Sequence, residues 1–238
     1  MALQQQKNVK EVFYLEMFLG VNSKIPLNKK LKNGYTMFDW FSRQKGFPAF
    51  CMRTLTGENK ITFEEIEFLH KKGCKIGFVD RKLTERAVSG INGTEEALRA
   101  VKAAEKIGIP KNYGIAIFAE IAPDWSINHN WMISYAQTIY DSGYIPGFIG
   151  NTDSSKNFNF DRQCSHYVQA TRDMNCFEAV YAATEPKTDE FPEVWAPYCP
   201  SALNPEDISL WLCGVTAFDS LTVEDVYSKN YKTLVNMW

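Results

Sequence analysis

Six charged side chains follow strand-like apolar runs. Asp39 follows Gly34-Tyr-Thr-Met-Phe38, Arg53 follows Phe47-Pro-Ala-Phe-Cys51-Met52, and Asp80 follows Cys74-Lys-Ile-Gly-Phe-Val79. Glu120 closes Tyr113-Gly-Ile-Ala-Ile-Phe-Ala119, Asp153 comes just after Tyr144-Ile-Pro-Gly-Phe-Ile-Gly150, and Glu185 follows Glu178-Ala-Val-Tyr-Ala-Ala-Thr184. A strand buried on both faces tolerates an acid only at its tip, and in parallel α/β folds the tips are where chemistry is done. Acids at several tips around one mouth can take different pKa values according to their surroundings. That pairing is what glycoside hydrolysis needs: one acid protonates the leaving oxygen, and a second carboxylate acts as base, nucleophile or electrostatic support. Glu120, with the most apolar flanks, is read as the general acid, and Asp39 or Asp80 as its partner carboxylate. Taken singly, Asp39, Asp153 and Glu185 equally fit solvated loop positions or helix N-caps.

Around these tips, Trp40, Trp125 and Trp211 offer flat apolar faces for sugar rings, although Trp211, like Trp195, equally fits packing beneath loops. Arg53 is either a clamp for a substrate carboxylate or half of a structural ion pair. Asp153 and Glu185 complete the expected substrate-binding set. Other chemistries lack their residues. His70, His129 and His166 form no HxH or HExxH spacing, no CxxC occurs, and no GxGxxG or Walker lysine is present, so neither a metal nor a cofactor is expected. Cys164 and His166, two apart on an expected helix, do not face one another.

Positioning these tips requires alternating strands and crossover helices, and the chain supplies them from residue 60 onward. Thr62 caps a helix, Glu65 three residues on completes a capping box, and Ile61 against Ile66 makes a hydrophobic staple. That helix stops at His70-Lys-Lys-Gly73. Thr94 with Glu95 and Glu96 opens a second helix, Asn130 to Ile139 forms a third, and about Phe160 to Thr171 a fourth. Ile208 to Cys213 is a late strand, and Thr222-Val-Glu-Asp225 is expected to open a closing helix. Strand, helix, strand with crossover-length links is the pattern of a parallel sheet, and an eight-stranded barrel is preferred over an open one. The expected fold class is therefore α/β, a single-domain (β/α)8 TIM-like barrel, with 1–33 an extension, 34–220 the barrel core and 221–238 a closing helix.

Composition narrows the partners. The chain has 238 residues, 45% of them hydrophobic, and a formal net charge of −2 with lysines and acids interspersed. This gives no basic field for nucleic acid. No apolar run reaches membrane-helix length and the N-terminus lacks the parts of a signal peptide, so the sequence reads as neither membrane-inserted nor routed for export. Six scattered cysteines, several in apolar runs, read as buried thiols and point to a reducing compartment.

The segments Gly93-Thr-Glu-Glu-Ala97, Ala103-Ala-Glu-Lys-Ile-Gly-Ile-Pro110, Ile115-Ala-Ile-Phe-Ala-Glu120, Gly143 to Gly150 and Ser209-Leu-Trp211 together resemble the glycoside-hydrolase-like TIM-barrel family of unassigned function. That family is similar in turn to family 25 lysozymes. The resemblance spans roughly residues 34 to 220. It implies an eight-stranded barrel acting on bacterial cell-wall or related polysaccharide at an extracellular or cell-wall site. It also implies an Asp at the first strand tip, assigned to Asp39, and an acid at the fourth, Glu120. Family 25 lysozymes end the fourth strand in Asp-x-Glu, and the first of those positions is Phe118 here, so the second acid of that motif is missing. A non-catalytic barrel that binds glycan or protein is the alternative.

Overall fold

The computed structural model describes residues 17–151, 159–172, 180–188, 192, 194–229 and 231–238, with the backbone alone for 180–188 and 231–232. The strands are β1 (Phe18–Ser23), β2 (Phe50–Thr56), β3 (Lys75–Asp80), β4 (Ala116–Glu120), β5 (Ile145–Asn151), β6 (Val180–Thr188), β7 (Ile208–Phe218) and β8 (Leu221–Ser228). The helices are α1 (Met37–Lys45), α2 (Phe63–Lys71), α3 (Glu85–Val88), α4 (Thr94–Lys106), α5 (His129–Asp141), α6 (Asn159–Arg172) and α7 (Tyr231–Leu234).

Strands β1 to β7 pair in parallel, each with the next in sequence. Strand β8 is antiparallel to both β7 and β1, and its two pairings complete the ring. The architecture is mixed α/β and barrel-like, but it is not the regular (β/α)8 TIM barrel expected from the sequence. A tight hairpin, with Asp219 in a left-handed conformation, joins β7 to β8 where an eighth βα unit would stand.

Three boundaries move accordingly. The first strand lies at Phe18–Ser23, inside the stretch read as an extension. Gly34 to Phe38 is no strand: Thr36 accepts the Asp39 amide and caps α1. Thr222 to Asp225 belongs to β8, where β-branched Thr222, Val223 and Val226 suit a strand paired on both sides. Thr62 does cap α2, accepting the Glu65 amide, but the Glu65 carboxylate turns inward to Arg53 and the Leu27 amide. At α4 the helix begins at Thr94 itself with Gly93 as the cap, and the Asn92 side chain accepts the Thr94 amide.

Two apolar layers separate along each strand with a period of two. Phe50, Met52, Val79, Ala116, Phe118, Ile149, Leu210, Leu212 and Val226 fill the barrel interior. Cys51, Phe78, Ile117 and Ala119 face outward under the helices. The C-terminal segment seals the end of the barrel where the parallel strands begin. Leu234 and Met237 join the interior cluster, Trp238 exchanges two backbone hydrogen bonds with Ile76, and Ala116 donates to the Asn236 carbonyl. The opposite end, where the parallel strands finish, is thereby left as the mouth.

Interior packing is tight at Gly147, which stands opposite Phe118 on the neighbouring strand. A Cβ there meets the Phe118 ring at 2.6 Å. Gly147→Ala is expected to cost about 1–3 kcal/mol through overpacking. Thermal melts should show a fall of roughly 3–10 °C.

Candidate active site

The alternation of layers decides which tip residues enter the mouth. Val79 and Phe118 point inward and Ala119 outward, and Asp80 stands opposite Ala119. Arg81 and Glu120 therefore turn into the mouth, whereas Asp80 turns out. By the same parity Thr54 follows Phe50 and Met52 inward, and Glu224 shares its face with Val226. Asn22 shares its face with Phe18, which packs on the interior cluster.

These side chains form one network. Arg81 Nε donates to Glu120 Oε2 at 2.6 Å, and Lys24, just beyond β1, reaches Glu120 Oε1 at 2.9 Å. Arg81 Nη1 donates to Thr54 Oγ1 at 2.7 Å and Nη2 to Asn22 Oδ1 at 2.5 Å. The Asn22 amide nitrogen in turn donates to Glu224 Oε2. Burial is the largest influence on Glu120 and works to raise its pKa, but the charges and hydrogen bonds of Arg81 and Lys24 together outweigh it and the net shift is downward. Glu120 is consequently an anion at neutral pH, the opposite of what a general acid requires. Arg81 is drawn below its usual value by burial, which the Glu120 charge opposes.

The acids expected to pair with Glu120 are elsewhere. Asp39 sits in the first turn of α1, where its carboxylate takes Lys72 Nζ at 2.7 Å and the Thr36 hydroxyl at 2.7 Å. These hydrogen bonds, Lys72 first, hold it below the ordinary carboxylate range. Asp80 is fully buried in the strand–helix layer, bonded to the Thr56 hydroxyl, the Lys82 amide and Arg99. Burial raises its pKa in spite of those partners. On the observed first strand, β1, the residue that joins the mouth network is Asn22, an amide.

The expected binding residues divide similarly. Arg53 faces outward from β2 and makes a wholly buried, two-pronged pair with Glu65 at 2.6 and 2.9 Å, so it is structural and not a substrate clamp. Trp40 is on α1, edge-on to Phe218. Trp211 faces outward on β7 and packs edge-on against Trp195. Trp125 lies in the loop after Glu120, half-buried, on a turn closed by its amide and the Ala122 carbonyl. Glu185 is on β6 with its side chain outside the described residues, and Asp153 lies outside them altogether. Lys24, Arg81, Asn22, Thr54 and Glu224 went unread in the sequence. Strand parity was the available signal for Arg81, because Val79 and Arg81 must share a face. Among the described residues no helix is long and apolar enough to cross a membrane, and no group of three or more His, Cys, Asp and Glu side chains is placed to hold a metal ion.

No protein-family model matches this chain, and no curated protein is similar to it in sequence. Solved structures do match. The chain superposes on an uncharacterized protein from B. stearothermophilus with a TM-score of 0.75 and 22% identity, over 93% of this chain and 100% of that one. The Tat-secreted protein Rv2525c of Mycobacterium tuberculosis, in complex with HEPES, gives a TM-score of 0.56 at 10% identity, over 89% and 94% of the two chains. A family GH25 lysozyme from Aspergillus fumigatus gives 0.51 at 13% identity, over 92% and 98%. The fold is similar to that of family 25 lysozymes. At these identities the likeness is one of fold, and the chemistry has to be argued from the mouth itself.

Proposed function

We propose that this protein is a glycoside-hydrolase-like barrel whose mouth binds a polysaccharide of the cell-wall type without cleaving it. The observation that carries this reading is the state of Glu120, held as an anion between Lys24 and Arg81 while Asp39 and Asp80 are engaged away from it. A carboxylate so placed accepts hydrogen bonds from sugar hydroxyls but has no proton to give a leaving oxygen. Asn22 and Glu224 extend the polar rim, and Trp125, half-buried in the loop that follows Glu120, is taken as the aromatic face for a sugar ring. The resemblance to cell-wall lysozymes supports the choice of ligand class.

A second reading has its own support. Asn22 links Glu224 to the Arg81–Glu120 pair, so a second carboxylate does belong to the mouth, on β8 and not on β4. In that reading Glu120 acts as the anionic partner and Glu224 is the second carboxylate of the pair. Trp125→Ala tests the shared part of both. Loss of one stacking face is expected to weaken glycan binding about tenfold, together with a fall in melting temperature because the indole also packs on the core. Isothermal titration with soluble wall fragments reads this directly, and unaltered affinity would remove Trp125 from the site.

A further inference from the structure

Away from the mouth, Cys51 and Cys74 meet in the layer between the barrel and helix α2, with their Sγ atoms 2.9 Å apart. That is well inside the contact distance of two unbonded sulfurs and within about 1 Å of a bonded pair. Both residues are buried in the outer core cluster that also holds Leu69 and Ile76. The backbone at Cys74 is pinned, its amide donating to the Leu69 carbonyl at the end of α2. The other described cysteines stand apart from this pair: Cys164 on α6, Cys213 on β7 and Cys199 in the loop before β7.

We propose that Cys51 and Cys74 close to a disulfide while the chain folds in the presence of a small-molecule disulfide oxidant, and that native packing then shields the bond. In the first step one cysteine thiolate attacks the oxidant, breaking its S–S bond and releasing one thiolate. The second cysteine thiolate then attacks the protein-side sulfur of the mixed disulfide and releases the other. Two cysteine thiols are oxidised, the oxidant is reduced to two thiols, and the two protons pass to those thiols. Folding is the stage at which this happens, because exchange needs an accessible thiolate. In the native state burial, followed by the adjoining Cys74 thiol, pushes Cys51 well above its usual range. The bond would tie β2 to the start of β3 and enclose α2 in a loop closed 23 residues apart.

The test is oxidative refolding. Reduced protein is unfolded in guanidinium, refolded in a mixture of oxidised and reduced glutathione, alkylated, and mapped by non-reducing peptide mass spectrometry. The expected product is a linked Cys51–Cys74 peptide, absent from Cys51→Ala and Cys74→Ala. The refolded wild type should melt roughly 7–12 °C above its reduced form. Folded, reduced protein in the same buffer should keep both thiols unlinked over the same interval. Alkylation of both cysteines after oxidative refolding, or linkage of each to a different cysteine, overturns the pairing. Equally rapid linkage in the folded protein overturns the folding-stage account.

Discussion

Replacing Arg53 with Met is expected to lower the melting temperature by roughly 10–15 °C. Arg53 and Glu65 are both completely buried, and their pair is braced on each side. Arg53 also donates to the carbonyls of Ser23 at 2.6 Å and Asn59 at 3.0 Å, and Glu65 accepts the Leu27 amide at 2.7 Å. Removing the guanidinium leaves a carboxylate in the core with one backbone partner, a change that costs about 3–5 kcal/mol. For a chain of this size each kcal/mol corresponds to roughly 2–4 °C. The double replacement Arg53→Met with Glu65→Leu should recover much of the loss, because two apolar side chains leave no buried charge behind. Calorimetric melts of the three variants check this. A variant that loses glycan binding at an unchanged melting temperature would return Arg53 to the role of substrate clamp. The pair also bears on the mouth, since the Ser23 carbonyl it holds is adjacent to Asn22.

Glu120→Gln should weaken glycan affinity by roughly ten- to a hundredfold, the usual effect of losing hydrogen bonds to a charged group. The amide also leaves Arg81, 8% exposed, and Lys24 without their anion. A pH signature accompanies this change. The folded pKa of Glu120 lies below its ordinary 4.5, so its contribution to stability is complete above that value and is lost as pH falls through the lower folded pKa. The difference in melting temperature between wild type and Glu120→Gln should hold steady near neutrality and close in acid below the ordinary glutamate range. Asp80 works in the opposite sense, because its raised pKa favours the protonated form in the folded state. It is common to both proteins and cancels from the comparison.

The middle of the fold was legible in the sequence because its signals are local. Thr62 capping α2, Gly73 ending that turn, and the apolar runs of β3, β4 and β5 need only their neighbours to be read. What was missed depends on distant pairing. Phe18–Ser23 becomes a strand by lying between β2 and β8, and Thr222-Val-Glu-Asp225, which carries the look of a helix start, is claimed by pairing with β7 and β1 at once. Similarly, Glu120 stood out through its apolar flanks, but its companions did not. Asp80 and Arg81 are adjacent in sequence and face opposite sides of the sheet, so the acid that looked like a partner is in the outer layer and the cation beside it is in the mouth. Asn22 and Glu224 enter the site from the two ends of the chain, on strands that only barrel closure brings together.

Binding at the mouth and the absence of turnover are both read in a single incubation. Wild-type protein and Glu120→Gln are mixed with insoluble bacterial cell-wall polysaccharide, and the supernatants are assayed for remaining protein and for new reducing ends. The wild type should be depleted saturably, the variant more weakly, and neither should release reducing ends. Reducing ends that accumulate with the wild type and vanish with Glu120→Gln would instead make the mouth a hydrolase site.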